Sequence, residues 1–129
     1  MRKKMKHKLI VNTEDRLFTI ITEGDGDVEG IKRFLIDITS HPEWKLGYNI
    51  LLDHRKLKID QITVNGIQQV SSYVKSISNK LGNGKMALVM KREIDFGITR
   101  AWELTTEAEV DIKIYVFREI EKAIAWLKE

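Results

Sequence analysis

The chain has 129 residues, of which 43% are hydrophobic and 32% are charged, so composition indicates one globular domain over residues 1–129 and excludes a disordered chain. It contains no cysteine, which excludes a disulfide scaffold, a cysteine-ligated zinc or iron–sulfur site and thiol catalysis. The net charge of +3 is unevenly spread, because five basic residues and no acid lie within the first eight positions.

This basic start, residues 1–8, is interpreted as a solvated tail that leads into the first strand. The alternative is a segment that steers towards phosphate backbones or anionic lipid. No apolar run is long enough to span a bilayer, and Leu9–Val11 is too short for the apolar region of a signal peptide. We therefore expect a cytoplasmic protein without a transmembrane segment, and we expect no nucleic acid among its partners.

The first half of the chain predicts a β-hairpin, a helix and a third strand. Runs of β-branched and aromatic residues predict strands over Lys8–Val11 and Leu17–Thr22, joined by a polar turn. Asp27 is a candidate N-cap for a helix that ends before Pro42. Tyr48–Asp53 contains a run that is apolar on both faces, which is typical of a strand covered by helices on both sides.

The next predicted element is a long helix, capped by Asp60 or Thr63 and ended by Gly82. Apolar residues at helical spacing predict its buried stripe, which comprises Val64, Ile67, Val70, Val74, Ile77 and Leu81. A second continuous apolar strand follows over Met86–Met90.

Two more helices flank the last predicted strand, Ile112–Phe117. Asp95 is predicted to cap the first of them. The inward residues of that helix are predicted to be Ile98, Ala101, Trp102 and Thr105. The closing helix is predicted to pack through Ile120, Ala123, Ile124 and Leu127.

The predicted order is therefore β-β-α-β-α-β-α-β-α. Strands that alternate with helices imply right-handed crossovers and a mostly parallel central sheet, to which the first hairpin adds an antiparallel edge. The fold class is α/β.

This order carries motifs that resemble the SpoIIAA-like, or STAS, fold of anti-sigma-factor antagonists and of the cytoplasmic ends of sulfate transporters. The motifs are the glycine break at Gly24–Gly26, Leu51–Arg55, Phe96–Ala101, Val116–Arg118 and Ala123–Leu127. The sequence is most similar to the stand-alone bacterial SpoIIAA-like proteins, also grouped as STAS/SEC14-like. The resemblance implies a SpoIIAA-like fold, a role that is non-enzymatic or unassigned, and a homodimer.

The chain departs from the antagonists where their phosphorylated serine lies. They carry an Asp-Ser-Ser-Gly motif at the start of the helix after the third strand. The corresponding stretch here is Thr63–Gly66, so that Val64 or Asn65 occupies the position of the phosphoacceptor. We expect no phosphorylation switch at this helix.

Charged residues cluster where the central strands are predicted to end. Ligands of parallel sheets bind beyond the carboxyl ends of the strands. The residues placed there are Asp53, His54, Arg55, Lys91, Arg92 and Arg100. Asp53, Arg55, Arg92 and Arg100 are the candidate ligand-binding residues, because arginine forks bind anionic groups. The alternative is a structural ion pair of Asp53 with Arg55 or Arg100.

No catalytic residue, metal ligand or cofactor site is nominated. Gly24–Gly30 resembles a phosphate loop, but its three acids would repel a phosphate and its glycine spacing is one residue too long. The leading hypothesis is a non-catalytic STAS-like regulatory or interaction module that binds a protein partner, including a second copy of itself. The alternative is a small-molecule or lipid binder that uses the carboxyl edge of the sheet for an anionic or lipid ligand.

Overall fold

A computed structural model of the chain describes residues 2–129. Its centre is a five-stranded sheet in which spatial order follows chain order. The first two strands are antiparallel and all other neighbours are parallel, which confirms the predicted mostly parallel sheet. The strands are β1 (Lys6–Asn12), β2 (Leu17–Asp25), β3 (Asn49–Lys58), β4 (Lys85–Val89) and β5 (Lys113–Phe117).

Five helices connect and follow these strands. They are α1 (Val28–Thr39), α2 (Val64–Ser76), α3 (Ser78–Leu81), α4 (Glu93–Thr106), which continues into a 3₁₀ turn (Glu107–Glu109), and α5 (Ile120–Leu127). The long helix predicted up to Gly82 is thus two helices, interrupted at Ile77, whose ψ of 15° leaves the helical range. Helix α3 ends at Gly82, as predicted, and the φ of +83° there is one that glycine adopts readily. Among residues 2–129, no helix has the length and apolar character needed to cross a membrane.

The two faces of the sheet are covered unequally. Helices α1, α2 and α4 lie on one face, where the main core packs around residues such as Phe18, Leu52 and Leu88. Helix α5 alone covers the other face. Its cluster comprises Leu51, Ala87, Val89, Ala123 and Leu127, with Ile120 and Ile124 partly buried beside it. Neighbouring residues of β3 therefore enter different cores, as the doubly apolar run predicts.

Helix α5 leaves part of the sheet face that it covers open to solvent. It contacts β3, β4 and β5. Ile10 and Ile21 lie beyond it on β1 and β2, and 42% and 36% of their surfaces are exposed. Ile21 pairs with Asp53 and Thr19 pairs with Leu51, so these residues share the α5 face. The sheet thus has an uncovered strip along its first two strands.

The start of the chain is held more firmly than a solvated tail. Strand β1 begins at Lys6, two residues before the predicted start, and Met5 is buried in the main core. The backbone oxygen of Lys3 accepts a hydrogen bond of 2.9 Å from the backbone N–H of Asp25, which lies at the end of β2. The docked part of the chain therefore starts at Lys3.

The predicted cap and inward residues of α4 need correction. Arg92, not Asp95, is the N-cap residue, and Asp95 lies buried in the first turn. The Asp95 carboxylate accepts the backbone N–H of Ile59 at 2.9 Å. Ala101 and Thr105, predicted to face inward, are exposed.

Polar residues take the place of the apolar ones expected on the buried side of α4. Thr99 donates to the backbone oxygen of Asp95 at 2.8 Å, and the Thr106 hydroxyl lies 2.7 Å from that of Ser71. Glu103 is buried and accepts a backbone N–H from β5. An apolar pattern cannot identify these positions, because their burial depends on hydrogen-bond partners from other elements.

The predicted buried stripe of α2 is confirmed at Val70 and Val74, whereas the prediction that Val64 is buried is wrong. Val64 is 77% exposed. It is the first helical residue after the Thr63 cap, and it does not lie on the side of α2 that contacts the core.

Candidate functional site

The candidate site begins with a bulge near the carboxyl end of β3. Ile21 of β2 pairs with Asp53, and Glu23 pairs with Lys56. One β2 residue, Thr22, therefore lies opposite two β3 residues. A bulge of this kind re-aims side chains, and bulges are common beside functional sites. Alternation along β3 places an ion pair, Asp53 with Arg55, on the α5 face and His54 on the other face. The bulge then shifts the alternation so that Lys56, opposite Glu23, lies on the α5 face as well.

The ion pair on the α5 face joins Asp53 and Arg55 in a bidentate geometry. The Arg55 Nε and one terminal nitrogen each donate to a different Asp53 oxygen at 2.9 Å, and the Arg55 backbone N–H donates at 3.2 Å. Burial alone would raise the pKa of Asp53. The hydrogen bonds and charge of Arg55 outweigh burial and hold that pKa below its ordinary value. The structure thus realises one of the ion pairs considered from the sequence.

The histidine between them faces the interior. The Thr22 hydroxyl lies 2.7 Å from Nδ1 of His54. Complete burial lowers the pKa of His54 to about 4, although the charge of Asp53 acts in the opposite direction. The ring is therefore neutral near pH 7 and belongs to the main core rather than to the surface.

A groove of about 600 Å³ lies on the α5 face where β3 and β4 end and α5 begins. Its basic lining residues are Arg55, Lys56, Lys91 and Arg118, and its acidic ones are Asp53, Glu119 and Glu121. Ile21 and Ile120 add apolar surface. The open sheet strip of β1 and β2 therefore continues into a charged groove.

The cations of the groove differ in what they already bind. Arg55 is paired with Asp53, and Arg118 is paired with Glu93 and lies 4.6 Å from the ring centroid of Phe96. Lys56 and Lys91 are exposed, and neither has an ion-pair partner in the part of the chain that the structure describes. These two lysines are the charges available to a ligand.

Arg92 and Arg100, predicted for the same site, do not line the groove. Arg92 binds Asp95 and Asp60, with nitrogen–oxygen distances of 2.6 Å to each. Arg100 binds Glu103 and lies 5.6 Å from the ring centroid of Tyr115. Each arginine holds a local ion pair on α4, so the structure brings together Asp53 and Arg55 but not the whole predicted set.

Sequence reasoning missed two of the four basic groove residues, Lys56 and Arg118. It ended the third strand at Asp53, whereas β3 continues to Lys58. The alternation of Leu57 and Ile59 with charged residues was the available signal for that extension. Arg118 follows β5 directly, and the rule that ligands bind at carboxyl strand ends applies to it equally.

The start of α2 has a structural cap where the antagonists carry their serine. The Thr63 hydroxyl accepts the backbone N–H of Gly66 at 3.0 Å. Asn65 is exposed, and its side-chain oxygen accepts from Gln69 at 2.6 Å. The first turn of α2 thus carries one hydroxyl, which serves the helix end.

Comparison with solved structures gives matches to the fold. No family model and no curated protein matches the sequence. A solved structure that does match is an uncharacterised protein of the DUF3478 family from Shewanella loihica PV-4, which has a SpoIIAA-like fold. The TM-score is 0.59, with 16% sequence identity over 95% of this chain and 93% of that chain. This chain has a SpoIIAA-like fold.

The match extends over nearly the whole SpoIIAA-like domain, so it includes the antiparallel hairpin as well as the parallel strands. The resemblance seen in the sequence motifs is thereby confirmed for the fold. The Shewanella protein is itself uncharacterised, so the comparison shows the fold alone.

Proposed function

We propose that this SpoIIAA-like protein is a non-catalytic interaction module whose groove binds an anionic group of a partner protein. The observation that carries the proposal is the pair of exposed lysines, Lys56 and Lys91, which line a groove of about 600 Å³ without ion-pair partners among residues 2–129. An arriving carboxylate or phosphate meets charges that no internal acid neutralises.

The rest of the groove favours a protein ligand. Asp53 does not repel an anion strongly, because Arg55 binds both of its oxygens. Glu119 is paired with Lys122 at 3.2 Å, which leaves Glu121 as an acidic rim. Ile21 and Ile120 provide apolar contact beside the charges, as protein interfaces combine the two.

The test is affinity capture from native-host lysate with two charge-reversed variants. Lys56→Glu/Lys91→Glu alters the groove. Lys45→Glu/Lys128→Glu is the matched control, because both of its lysines are exposed and neither lines the groove. We expect the control to retain the proteins that the wild type captures and the groove variant to lose them. Equal capture by both variants would contradict the proposal.

A further inference from the structure

The two edges of the sheet are finished in different ways. Strand β5 forms one edge, and two of its outward backbone N–H groups are already bound. The N–H of Ile114 donates to Glu107 at 2.9 Å, and the N–H of Val116 donates to Glu103 at 3.2 Å. Carboxylates at the end of α4 and in the 3₁₀ turn thus occupy the donors to which another strand would have to bind.

Strand β1 forms the opposite edge, and its outward backbone is open. Its seven residues pair with β2 on one side only. In the part of the chain that the structure describes, no side chain or loop bonds to the outward N–H and C=O groups of Lys6–Asn12. At about 3.4 Å per residue, this edge is more than 20 Å long. A long open edge is a template for an added strand.

The edge is also held in place before any partner arrives. His7 Nε2 lies 2.6 Å from the Asp37 carboxylate of α1, which ties the strand to the helix beneath it. Leu9 and Val11 pack partly against the main core. The Asp25 backbone N–H donates to the Lys3 backbone oxygen, and the Lys3 backbone N–H donates to the Asp25 carboxylate, which fixes the entry to the strand. An incoming segment therefore meets a formed strand and does not have to order it.

Charge selects what this edge accepts. Lys6 and Lys8 are two residues apart on β1, so both lie on its α5 face, and both are exposed. Glu23 lies across from Lys6, yet neither lysine forms an ion pair among residues 2–129. Lysines on an edge strand discourage pairing with a second basic strand, because like charges in neighbouring strands repel. They favour a segment with acidic side chains at alternate positions.

We propose that the free edge of β1 binds an extended acidic segment of a partner protein as a sixth, antiparallel strand. In that register, glutamates two residues apart face Lys8 and Lys6, and an apolar side chain precedes them beside the exposed Ile10. The residues of the bound segment between these positions are small and apolar, and they lie on the other face of the sheet, beside Leu9. The inference goes beyond the groove and uses none of its residues.

The test uses a fluorescein-labelled octapeptide with the core isoleucine-valine-glutamate-valine-glutamate. A second peptide carries the same side chains with alternate backbone amides N-methylated, which removes strand pairing and keeps the charge. Lys6→Glu/Lys8→Glu reverses the charge of the edge. Lys45→Glu/Lys128→Glu is the matched control, because it makes the same charge change at exposed lysines that lie outside both the edge and the groove.

We expect the wild type and the control variant to bind the peptide equally and the edge variant to bind it about tenfold more weakly. The N-methylated peptide is expected not to bind. In the complex, alternate amides of β1 should exchange with solvent more slowly, while those of β5 stay unchanged. This exchange is measured on the wild-type chain and does not depend on any variant folding.

Four outcomes would overturn the proposal. One is no peptide binding at concentrations up to about 1 mM, the weakest affinity of interest. Another is equal binding of the N-methylated peptide, which would mean attraction by charge alone. A third is a protein that is already dimeric through β1 in sedimentation experiments. The last is edge-dependent binding to phosphatidylserine vesicles without peptide binding. Loss of lysate capture in the groove variant is a separate result and leaves this inference untouched.

Discussion

The Thr22 hydroxyl and Nδ1 of His54 lie 2.7 Å apart beneath the bulge of β3, where the histidine ring is buried. The residues on either side of His54 form an ion pair on the opposite face of the sheet, where Asp53 is itself buried and Arg55 is partly exposed. Alternation along the strand thus places a neutral ring in the core and a charged pair at the groove, with a single residue between the two members of the pair.

Acid should destabilise the protein through His54. Its pKa is about 4 in the folded chain against 6.5 unfolded, so the unfolded chain binds more protons between these values. The stabilisation is fully present above pH 6.5 and is lost as pH falls towards 4. We expect the free energy of unfolding to fall by about 2 kcal/mol between about pH 7 and pH 5 from this group. Urea titrations of wild type and His54→Gln measure it, and the slope should be shallower in the variant.

Removal of Arg55 should leave a poorly solvated carboxylate. Only 10% of the Asp53 side chain is exposed, so Arg55→Ala should cost about 1–3 kcal/mol of stability. Burial then raises the pKa of Asp53, because the backbone N–H that remains at position 55 opposes it more weakly than the whole of Arg55 does. A carboxyl group with a raised pKa takes up its proton more readily in the folded chain than in the unfolded chain, so the stability deficit of the variant should be largest near neutral pH and should shrink as pH falls towards the ordinary pKa of 3.8.

Urea titrations at about pH 7 and about pH 4 check this sign. The control is Asp53→Asn/Arg55→Ala, in which no carboxylate remains to titrate, and its deficit relative to the wild type should change little between the two pH values. An equal deficit of Arg55→Ala at both pH values would mean that water, rather than Arg55, stabilises Asp53.

Two valines of α2 provide a matched test of the helix orientation. Val70 is 6% exposed and Val64 is 77% exposed. Val70→Ala should cost about 1–2 kcal/mol, because two buried methyl groups are lost. Val64→Ala should change stability by less than about 0.5 kcal/mol. Equal losses in chemical denaturation would show that the helix is rotated from the orientation described.

Trp102 should tolerate phenylalanine far better than alanine. It is 7% exposed, and its Nε1 has no hydrogen-bond partner. Trp102→Ala should cost about 3–5 kcal/mol through the cavity it creates. Trp102→Phe keeps most of the apolar contact and should cost less than about 1.5 kcal/mol. A severe loss in the phenylalanine variant, measured by thermal and urea unfolding, would indicate that the indole N–H has a bound partner.

Sequence reasoning recovered the order of the elements because each strand and helix has its own apolar period. The doubly apolar run ending at Leu52 correctly indicated cores on both sides of β3. Thr63 and Gly82 were identified at the ends of their helices because capping depends on local chemistry.

The site was less accessible to sequence reasoning. Its geometry depends on a bulge, and a bulge arises from the pairing of two strands rather than from the residues of one. The roles of Asp95 and Glu103 depend on backbone donors 36 and 13 residues away along the chain. Their acidic side chains predict exposure, and only the partners explain why they are buried.

The agreement between spatial and chain order of the strands has a consequence for synthesis on the ribosome. Each strand after β1 joins the edge that the preceding strand has just formed, so no strand must be inserted into a completed sheet. Glu103 and Glu107 leave the ribosome before β5 does, so the acceptors for its outward amides are already present when the last strand is added. The growing end of the sheet is closed as soon as it is complete, while the end made first stays open.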